Sequence, residues 1–242
     1  IERLRAILGS KDLQMTIVRE ELENMRNKFA DPRRTDIIFD YRDFTLEELI
    51  AQEDVVVTIS NNGFIKRFPV SGYRRQHRGG KGVTGMQTRE DDFIEHVFVG
   101  STHSYLIFFT DRGRCFRLKI YEIPEAGRAA KGRSLANLLP KEKDEQITAI
   151  LSVKDFTADQ FILMVTRIGT VKKTALGDFA NIRSNGIIAI NLRGDDALVA
   201  TRLTDGDNDI LIATHEGMAV RFRESDVRDM GRTASGVRGI TL

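Results

Sequence analysis

The densest group of residues suited to binding chemistry is a short basic stretch, Gln76-His77-Arg78-Gly79-Gly80-Lys81-Gly82. Arg and Lys donate charged hydrogen bonds to phosphate oxygens, and glycine lets the backbone turn sharply and come close to another molecule. Four more cations precede the stretch, at Lys66, Arg67, Arg74 and Arg75. These residue types predict a phosphate-binding loop. A solvated basic turn would have the same composition, so the loop alone leaves both interpretations open.

The loop lies in the first of four repeats. Each repeat starts with a β-rich run that ends in a glycine turn, which is typical of a β-hairpin. The turn glycines are Gly63, Gly113, Gly169 and Gly217, spaced 50, 56 and 48 residues apart. A second glycine follows each of them by 17 or 19 residues, at Gly82, Gly132, Gly186 and Gly236. A period near 50 with several strands per unit predicts an all-β, propeller-like fold of four-stranded blades.

Basic residues keep register with these repeats. Four positions after the turn glycine stand Arg67, Arg117, Lys173 and Arg221. Four positions before the second glycine stand Arg78, Arg128 and Arg232, with Arg183 one place off. Repeat symmetry would bring these cations to one rim, where a ring of positive charge suits a curved polyanion such as double-stranded DNA. Shared ancestry of the repeats would also keep them in register without any ligand.

The charge of the chain is distributed unevenly. The 242 residues have a formal net charge of +2, but residues 1–54 carry 9 Lys and Arg against 13 Asp and Glu, whereas residues 55–242 carry 28 against 22. A segregated positive charge favours a polyanion as partner. No apolar run approaches the length of a membrane span, and the single cysteine, Cys115, suits a reducing cytoplasm.

The N-terminal part has a helical pattern instead of a strand pattern. Residues 1–35 predict two helices, the second capped by Ser10, and they are too short to form a domain. Residues 36–54 predict a connector with one short helix, which starts at the capping box Thr45-Leu46-Glu47-Glu48. Residues 55–242 predict the β-repeats, three of them whole and the fourth lacking its later strands.

The basic stretch Gln76–Gly82 resembles the seven-residue signature box of the C-terminal DNA-wrapping domain in the DNA gyrase A-subunit family, which usually reads Gln-Arg/Lys-Arg-Gly-Gly-Arg/Lys-Gly. This chain departs from that pattern at His77. The box lies in the first repeat, just after residues 53–58, as it does in the family. Residues 1–35 look like the last helices of the gyrase breakage–reunion domain. The resemblance covers essentially the whole chain and implies a β-pinwheel, a propeller-like disc whose blades exchange strands.

The resemblance also implies a function. Family members bend double-stranded DNA around the rim in a right-handed sense, which makes ATP-driven supercoiling negative. It implies a parent type IIA topoisomerase, a heterotetramer of two A and two B subunits in the bacterial cytoplasm, associated with the nucleoid and not with a membrane. ATP and magnesium would be bound by other domains, so this chain would hold no cofactor. The catalytic tyrosine would lie upstream, and Tyr41, Tyr73, Tyr105 and Tyr121 match no nucleophile motif.

The repeat register and the resemblance together predict a set of DNA contacts. Its members belong to the box, occupy the repeated cation positions described above, or lie close to one of these residues in the sequence. They are Gln76, His77, Arg78, Gly79, Gly80, Lys81, Gly82, Lys66, Arg67, Arg74, Arg75, Arg117, Arg128, Lys131, Lys172, Lys173, Arg221 and Arg232. Because only the first repeat has the full glycine-rich loop, we expect it to be the dominant contact.

Two alternatives stay open. The C-terminal domain of topoisomerase IV also bends DNA but generally lacks an intact box, and a propeller that serves as a protein-interaction scaffold would not need cations in register. No metal site is predicted. The acidic residues Asp205, Asp207, Asp209 and Glu216 match part of a calcium loop, but Ile210 stands where that loop requires glycine. The Gly80–Gly85 stretch matches G-x-G-x-x-G without the helix that a dinucleotide site needs.

Overall fold

The computed structural model describes residues 1–31, 34–35, 46–73, 78–79, 82, 85–86 and 91–241. The chain forms two compact units, Ile1–Asp43 and Phe44–Leu242. Much of the predicted connector, residues 36–45, lies outside the described residues. Within the described part of the chain, no helix is both long and apolar enough to cross a membrane.

The described residues of the first unit form two α-helices, α1 (Glu2–Gly9) and α2 (Lys11–Phe29). Ser10 is the N-cap of α2, and its hydroxyl accepts a hydrogen bond from the Leu13 amide at 3.4 Å, as predicted from the sequence. Most apolar side chains of α2, among them Leu22 and Phe29, are exposed.

The second unit is built from antiparallel β-strands. Its strands within the described ranges are β1 (Asp54–Ser60), β2 (Phe64–Pro69), β3 (Ile94–Ser101), β4 (Tyr105–Thr110), β5 (Arg114–Lys119), β6 (Arg133–Ser134), β7 (Ile147–Val153), β8 (Phe161–Thr166), β9 (Thr170–Ala175), β10 (Ile187–Ile188), β11 (Leu198–Thr204), β12 (Asp209–Ala213), β13 (Ala219–Arg223) and β14 (Val237–Arg238). They form three four-stranded sheets, in the orders β3-β1-β2-β6, β10-β5-β4-β7 and β11-β8-β9-β14, and one two-stranded sheet, β12-β13. The predicted all-β fold is therefore confirmed.

Short 3-10 helices join the strands. Four of them follow the second strand of each hairpin, at Val70–Gly72, Ile120–Glu122, Leu176–Phe179 and Glu224–Asp226, and a fifth is Leu135–Asn137. The short helix predicted from the capping box is a single 3-10 turn, Leu46–Leu49, while Thr45 lies outside the described residues.

Each four-stranded sheet takes one of its two edge strands from the next repeat of the sequence. Strand β6 follows β5 in the chain but pairs with β2, where Ile65 lies opposite Arg133. Strands β10 and β14 pair with β5 and β9 in the same way. The exchange connects consecutive sheets by backbone hydrogen bonds as well as by the chain itself.

Apolar cores fill the space between consecutive sheets. In β4, Leu106 and Phe108 pack in a cluster with Val57 of the first sheet, whereas Ile107 and Phe109 pack in a cluster with residues of the third sheet. Successive side chains of a strand point to opposite faces. The uninterrupted apolar run of β4 is therefore buried on both sides, which explains why it does not alternate with polar residues.

Candidate nucleic-acid interface

Part of the basic box falls within the described residues. Arg78, Gly79 and Gly82 are all exposed, and the two glycines have φ angles of 85° and 75°, a region that glycine adopts without strain. The other box residues and the two preceding arginines, namely Arg74, Arg75, Gln76, His77, Gly80 and Lys81, lie outside the described residues. Their DNA contacts stay predictions.

The equivalent loops of later repeats are fixed against the preceding sheet. At Gly132, which has a φ angle of 82°, a Cβ would lie 2.5 Å from the carbonyl oxygen of Ile65. At Gly236, which has a φ angle of 93°, a Cβ would lie 2.7 Å from the carbonyl oxygen of Val171. Only glycine fits such an approach. At these two positions the second glycine thus lets the loop approach the edge of the sheet formed by the preceding repeat.

Two of the predicted DNA contacts, Lys66 and Lys172, are buried lysines. Both residues have 0% of their surface exposed. The ammonium group of Lys66 donates a hydrogen bond to the carbonyl of Arg128, and that of Lys172 donates to the carbonyl of Arg232. Direct phosphate contact by these ammonium groups does not fit their burial. Their predicted role is therefore corrected: they hold the loops that precede the second glycine.

Burial also changes the titration of these lysines. It lowers the pKa of Lys66, and it lowers the pKa of Lys172 to about 8, because the protein interior solvates an ammonium group less well than water does. The positive charge of Arg232 lowers the pKa of Lys172 further, while Asp178 opposes the shift. The pKa of a fully exposed lysine would not be lowered by burial, so the lowered pKa of these two lysines agrees with a structural role.

Three of the four cations that stand four positions after a turn glycine bind the following repeat. Arg67 donates from Nε to the carbonyl oxygen of Ile123 at 2.8 Å, and its guanidinium lies 3.3 Å from the carboxylate of Glu125. Ile123 directly follows the 3-10 helix Ile120–Glu122, and Glu125 lies three positions beyond that helix. The guanidinium therefore connects β2 to the end of that helix.

Arg117 and Lys173 make equivalent connections. Arg117 is half-buried and donates to the carbonyl of Ala180, just after the 3-10 helix of the third repeat. Lys173 is buried and its ammonium lies 3.0 Å from the carboxylate of Asp229 in the fourth repeat. For these two and for Arg67, the register predicted from the sequence has a structural cause in contacts with the following repeat, and their DNA contacts stay predictions. Arg221 is exposed and pairs with Asp209 of its own hairpin at 2.6 Å.

The predicted contacts that remain at the surface lie on the loops. Arg128, Lys131 and Arg232 are partly exposed. Within the described ranges, neither arginine takes part in a salt bridge. The Lys131 ammonium lies 3.7 Å from the centroid of the Phe64 ring, which orients it by a cation–π interaction. These side chains are accessible to an anion.

Two further exposed cations were missed by the sequence reasoning. Arg133 lies on β6 and Arg238 lies on β14, and both are exposed on exchanged outer strands. They stand one and two positions after the second glycine, whereas the register was followed only up to that glycine. A search for basic residues on both sides of Gly132 and Gly236 would have found them.

The described part of the chain shows no other reactive constellation. No three His, Cys, Asp or Glu side chains there come together as metal ligands. Cys115 is buried, and burial raises the pKa of its thiol to about 12, so the thiolate nucleophile does not form near neutral pH. Asp209, one member of the calcium-like acidic pattern, is paired with Arg221.

The chain is similar to known proteins along most of its length. The sequence model of a family described as the DNA gyrase C-terminal domain, a beta-propeller, matches residues 54–101, 104–154, 160–205 and 208–242. The DNA gyrase A subunit of Clostridium acetobutylicum is 48% identical over 239 residues, which make up 99% of this chain and 29% of that relative. The chain thus spans 29% of the length of this curated relative.

Solved structures give the same fold. A crystal structure of the C-terminal domain of DNA topoisomerase IV superposes with a TM-score of 0.70 and 33% identity, covering 80% of this chain and 58% of that one. A structure of a DNA gyrase A C-terminal domain superposes with a TM-score of 0.60 and 28% identity, covering 78% and 61%. The predicted propeller-like architecture is therefore confirmed.

Proposed function

Since the chain belongs to the DNA gyrase C-terminal domain family of beta-propellers, we propose that it binds double-stranded DNA and bends the duplex around its second, all-β unit. The contacts come from the box, from the loops that bear Arg128 and Arg232, and from the outer strands with Arg133 and Arg238. The observation that carries the proposal is the repetition of accessible cations at the equivalent edge of the first and third sheets. A uniform polyanion such as the DNA backbone is the partner that a repeated cation suits.

The energetics favour contacts to phosphate over contacts to bases. Bending a site of 20–30 base pairs by 40–90° costs roughly 1–6 kcal/mol, which several phosphate contacts together offset through counterion release. Phosphate contacts contain little sequence information. Binding is therefore weakly dependent on sequence and strongly dependent on salt.

In the whole protein, this activity serves supercoiling. The DNA that flanks the wrapped segment is presented to the breakage gate of a gyrase holoenzyme with two A and two B subunits. ATP-dependent passage of this DNA through the gate then introduces negative supercoils. ATP and magnesium belong to the other domains of that bacterial, cytoplasmic and nucleoid-associated enzyme. The catalytic tyrosine belongs to the breakage–reunion domain of such an enzyme, so this chain binds and bends the DNA that other domains cut.

A second candidate function is DNA bending without stable wrapping. It is favoured by the similarity to the topoisomerase IV domain, which has the higher TM-score of the two solved structures, 0.70 against 0.60. The box resembling the gyrase signature argues for wrapping. The two functions differ in whether the bound DNA changes its linking number.

The test is an equilibrium titration of the whole chain with duplexes of unrelated sequence, of about 20–30 base pairs, across about 50–200 mM salt. We expect the logarithm of the affinity to fall linearly with the logarithm of the salt concentration, equally for all sequences. Arg128→Gln should lower the slope by about 1 for one lost phosphate contact, whereas the charge-matched Arg5→Gln in the helical unit should not. Absence of binding at low salt would overturn the proposal.

A further inference from the structure

We infer that Lys66 and Lys172 are positioning residues for DNA binding, each of which holds the arginine-bearing loop of the following repeat in place. Neither ammonium touches the DNA. Each one binds the backbone of an arginine whose side chain does so. The inference rests on the proposed function, because it assigns a cause to the geometry of the DNA-contacting loops.

The contacts of the two lysines are equivalent in two different sheets. Lys66 donates to the carbonyl of Gly127 at 3.0 Å and to that of Arg128, and Lys172 donates to the carbonyl of Arg232. Both lysines stand three positions after their turn glycine, and both arginines stand four positions before their second glycine. The same hydrogen bond, between equivalent positions of two pairs of repeats, therefore forms twice, across sequence separations of 62 and 60 residues.

A buried ammonium group is suited to this task. A buried cation is stable only when it is hydrogen-bonded, and within the described ranges the partners of these two lysines are carbonyl oxygens, not carboxylates. Lys172 donates to Ala189 as well, at 2.6 Å. The bonds therefore fix the backbone of the arginine and leave its side-chain charge uncompensated. A fixed backbone lowers the conformational entropy that the loop loses when the guanidinium binds phosphate.

The second sheet offers a contrast within the same molecule. Phe116 occupies the position of the two lysines, and the loop above it is two residues shorter, with Arg183 one place out of register. There Arg114 donates to the carbonyl oxygen of Asn185 at 2.8 Å and lies over the Phe116 ring, 4.9 Å from its centroid. The lysine thus accompanies the longer loop with its arginine in register, and it is replaced where the loop differs.

A double-mutant cycle on the whole chain tests the inference. The variants are Lys172→Met, Arg232→Gln and their combination, and the readout is affinity for random-sequence duplex at low salt. We expect Arg232→Gln to weaken binding by about threefold to tenfold, as for the net loss of one hydrogen bond of ordinary strength at a solvent-exposed site, and Lys172→Met to weaken it by a smaller factor. The double variant should bind as Arg232→Gln does. Lys143→Met, which removes an exposed lysine, is the charge-matched control.

Amide hydrogen exchange separates positioning from general destabilisation. In Lys172→Met we expect faster exchange at Gly231–Ala234, with unchanged protection in the paired strands β8 and β9. Lys66→Met with Arg128→Gln gives a second, independent cycle. If the methionine variants do not fold, Lys172→Gln, whose neutral side-chain amide can still donate hydrogen bonds, replaces Lys172→Met in the cycle.

The outcomes are distinct. An equal loss of affinity from Lys172→Met with and without Arg232→Gln would overturn the inference, since the lysine would then act independently of the arginine. Binding by the wild type that neither arginine variant weakens would overturn it too, because the loops would not contact DNA. No binding by the wild type at low salt would overturn the proposed function itself. In that case unchanged exchange of the loop in Lys172→Met would also refute the structural role of the lysine.

Discussion

The ammonium nitrogen of Lys66 lies 3.0 Å from the carbonyl oxygen of Gly127, although 61 positions of sequence separate the two residues. Lys66 belongs to the first sheet, and Gly127 belongs to the loop that brings β6 from the second repeat onto that sheet. Strand β6 has two residues, Arg133–Ser134, and so few ladder hydrogen bonds give it little stability of its own. The buried lysine therefore contributes to keeping the exchanged strand attached.

We expect Lys66→Met to lower the free energy of unfolding by about 1–3 kcal/mol, because it leaves the carbonyl group of Arg128 without its donor and the carbonyl group of Gly127 with the Ala130 amide alone. Urea denaturation of the whole chain measures this value. Lys143→Met, at an exposed lysine, should stay within about 0.5 kcal/mol of the wild type. Equal stability of the two variants would contradict a structural role for Lys66.

The stability contributed by Lys172 should depend on pH. Burial lowers the pKa of Lys172 to about 8 in the folded chain, from the ordinary value of 10.5. Between these values the unfolded chain binds a proton that the folded chain has released, so the free energy of unfolding rises with pH. We expect the difference in unfolding free energy between wild type and Lys172→Met to increase from pH 8 to pH 10.5.

Subtracting the unfolding free energy of Lys172→Met from that of the wild type removes the contributions of the other groups that titrate. Asp178, Arg232 and Cys115, which are the charged and titratable groups that act on this ammonium, are present in both proteins. The loop that bears Arg232 should keep its hydrogen bond to Lys172 across this pH range, because a neutral amine still has two N–H donors for the carbonyls of Ala189 and Arg232. A difference that stays flat or falls with pH would show that the ammonium is not buried as described.

Two turn glycines form a matched pair for testing close packing between repeats. Gly169 and Gly217 both have φ angles of 80°, but a Cβ at Gly169 would lie 2.6 Å from the carbonyl oxygen of Ile240, whereas one at Gly217 meets no described atom within 4 Å. Alanine at either site costs about 1–2 kcal/mol of left-handed strain. We expect Gly169→Ala to lose about 1–3 kcal/mol more, as measured by thermal or urea unfolding. Equal losses would refute the close approach.

A second matched pair tests the role of the cations in register. Arg67 has 16% of its side chain exposed and binds the second repeat, whereas Arg221 has 69% exposed and pairs with Asp209 in its own hairpin. We expect Arg67→Met to destabilise the fold by about 1.5–3 kcal/mol, since it removes hydrogen bonds from a charged group. Arg221→Met should cost at most about 1 kcal/mol, as for exposed ion pairs. The reverse order in urea unfolding would contradict a structural role for this register.

The sequence was most informative where a signal is local. Gly63, Gly113, Gly169 and Gly217 all have positive φ angles, as hairpin turns between β-rich runs require. The exchange of outer strands was not accessible from the pattern, because a two-residue strand such as Val237–Arg238 has no measurable periodicity. That feature followed only from the resemblance to a family.

The register of cations shows why candidate sites need a structure. A residue type that recurs in every repeat reports a repeated environment, but the environment can be a binding surface or an interior contact. Lys66 and Arg67 are neighbours in the sequence of one strand, and both bind the second repeat instead of facing solvent. Burial at these positions depends on a loop about 60 residues away in the chain, which no local pattern records.

The central claim, that the chain wraps DNA, is tested most directly by its effect on linking number. The whole chain is incubated with nicked circular plasmid, the nick is sealed with ligase, and the topoisomers are resolved after the protein is removed. Charge-reversed variants at Arg78 and Lys81 of the box are run in parallel, together with Arg5→Glu as the control. We predict a positive shift in linking number that is lost at high salt and in the box variants but kept in the control. Binding of the plasmid without any shift in linking number would contradict wrapping and leave DNA bending alone.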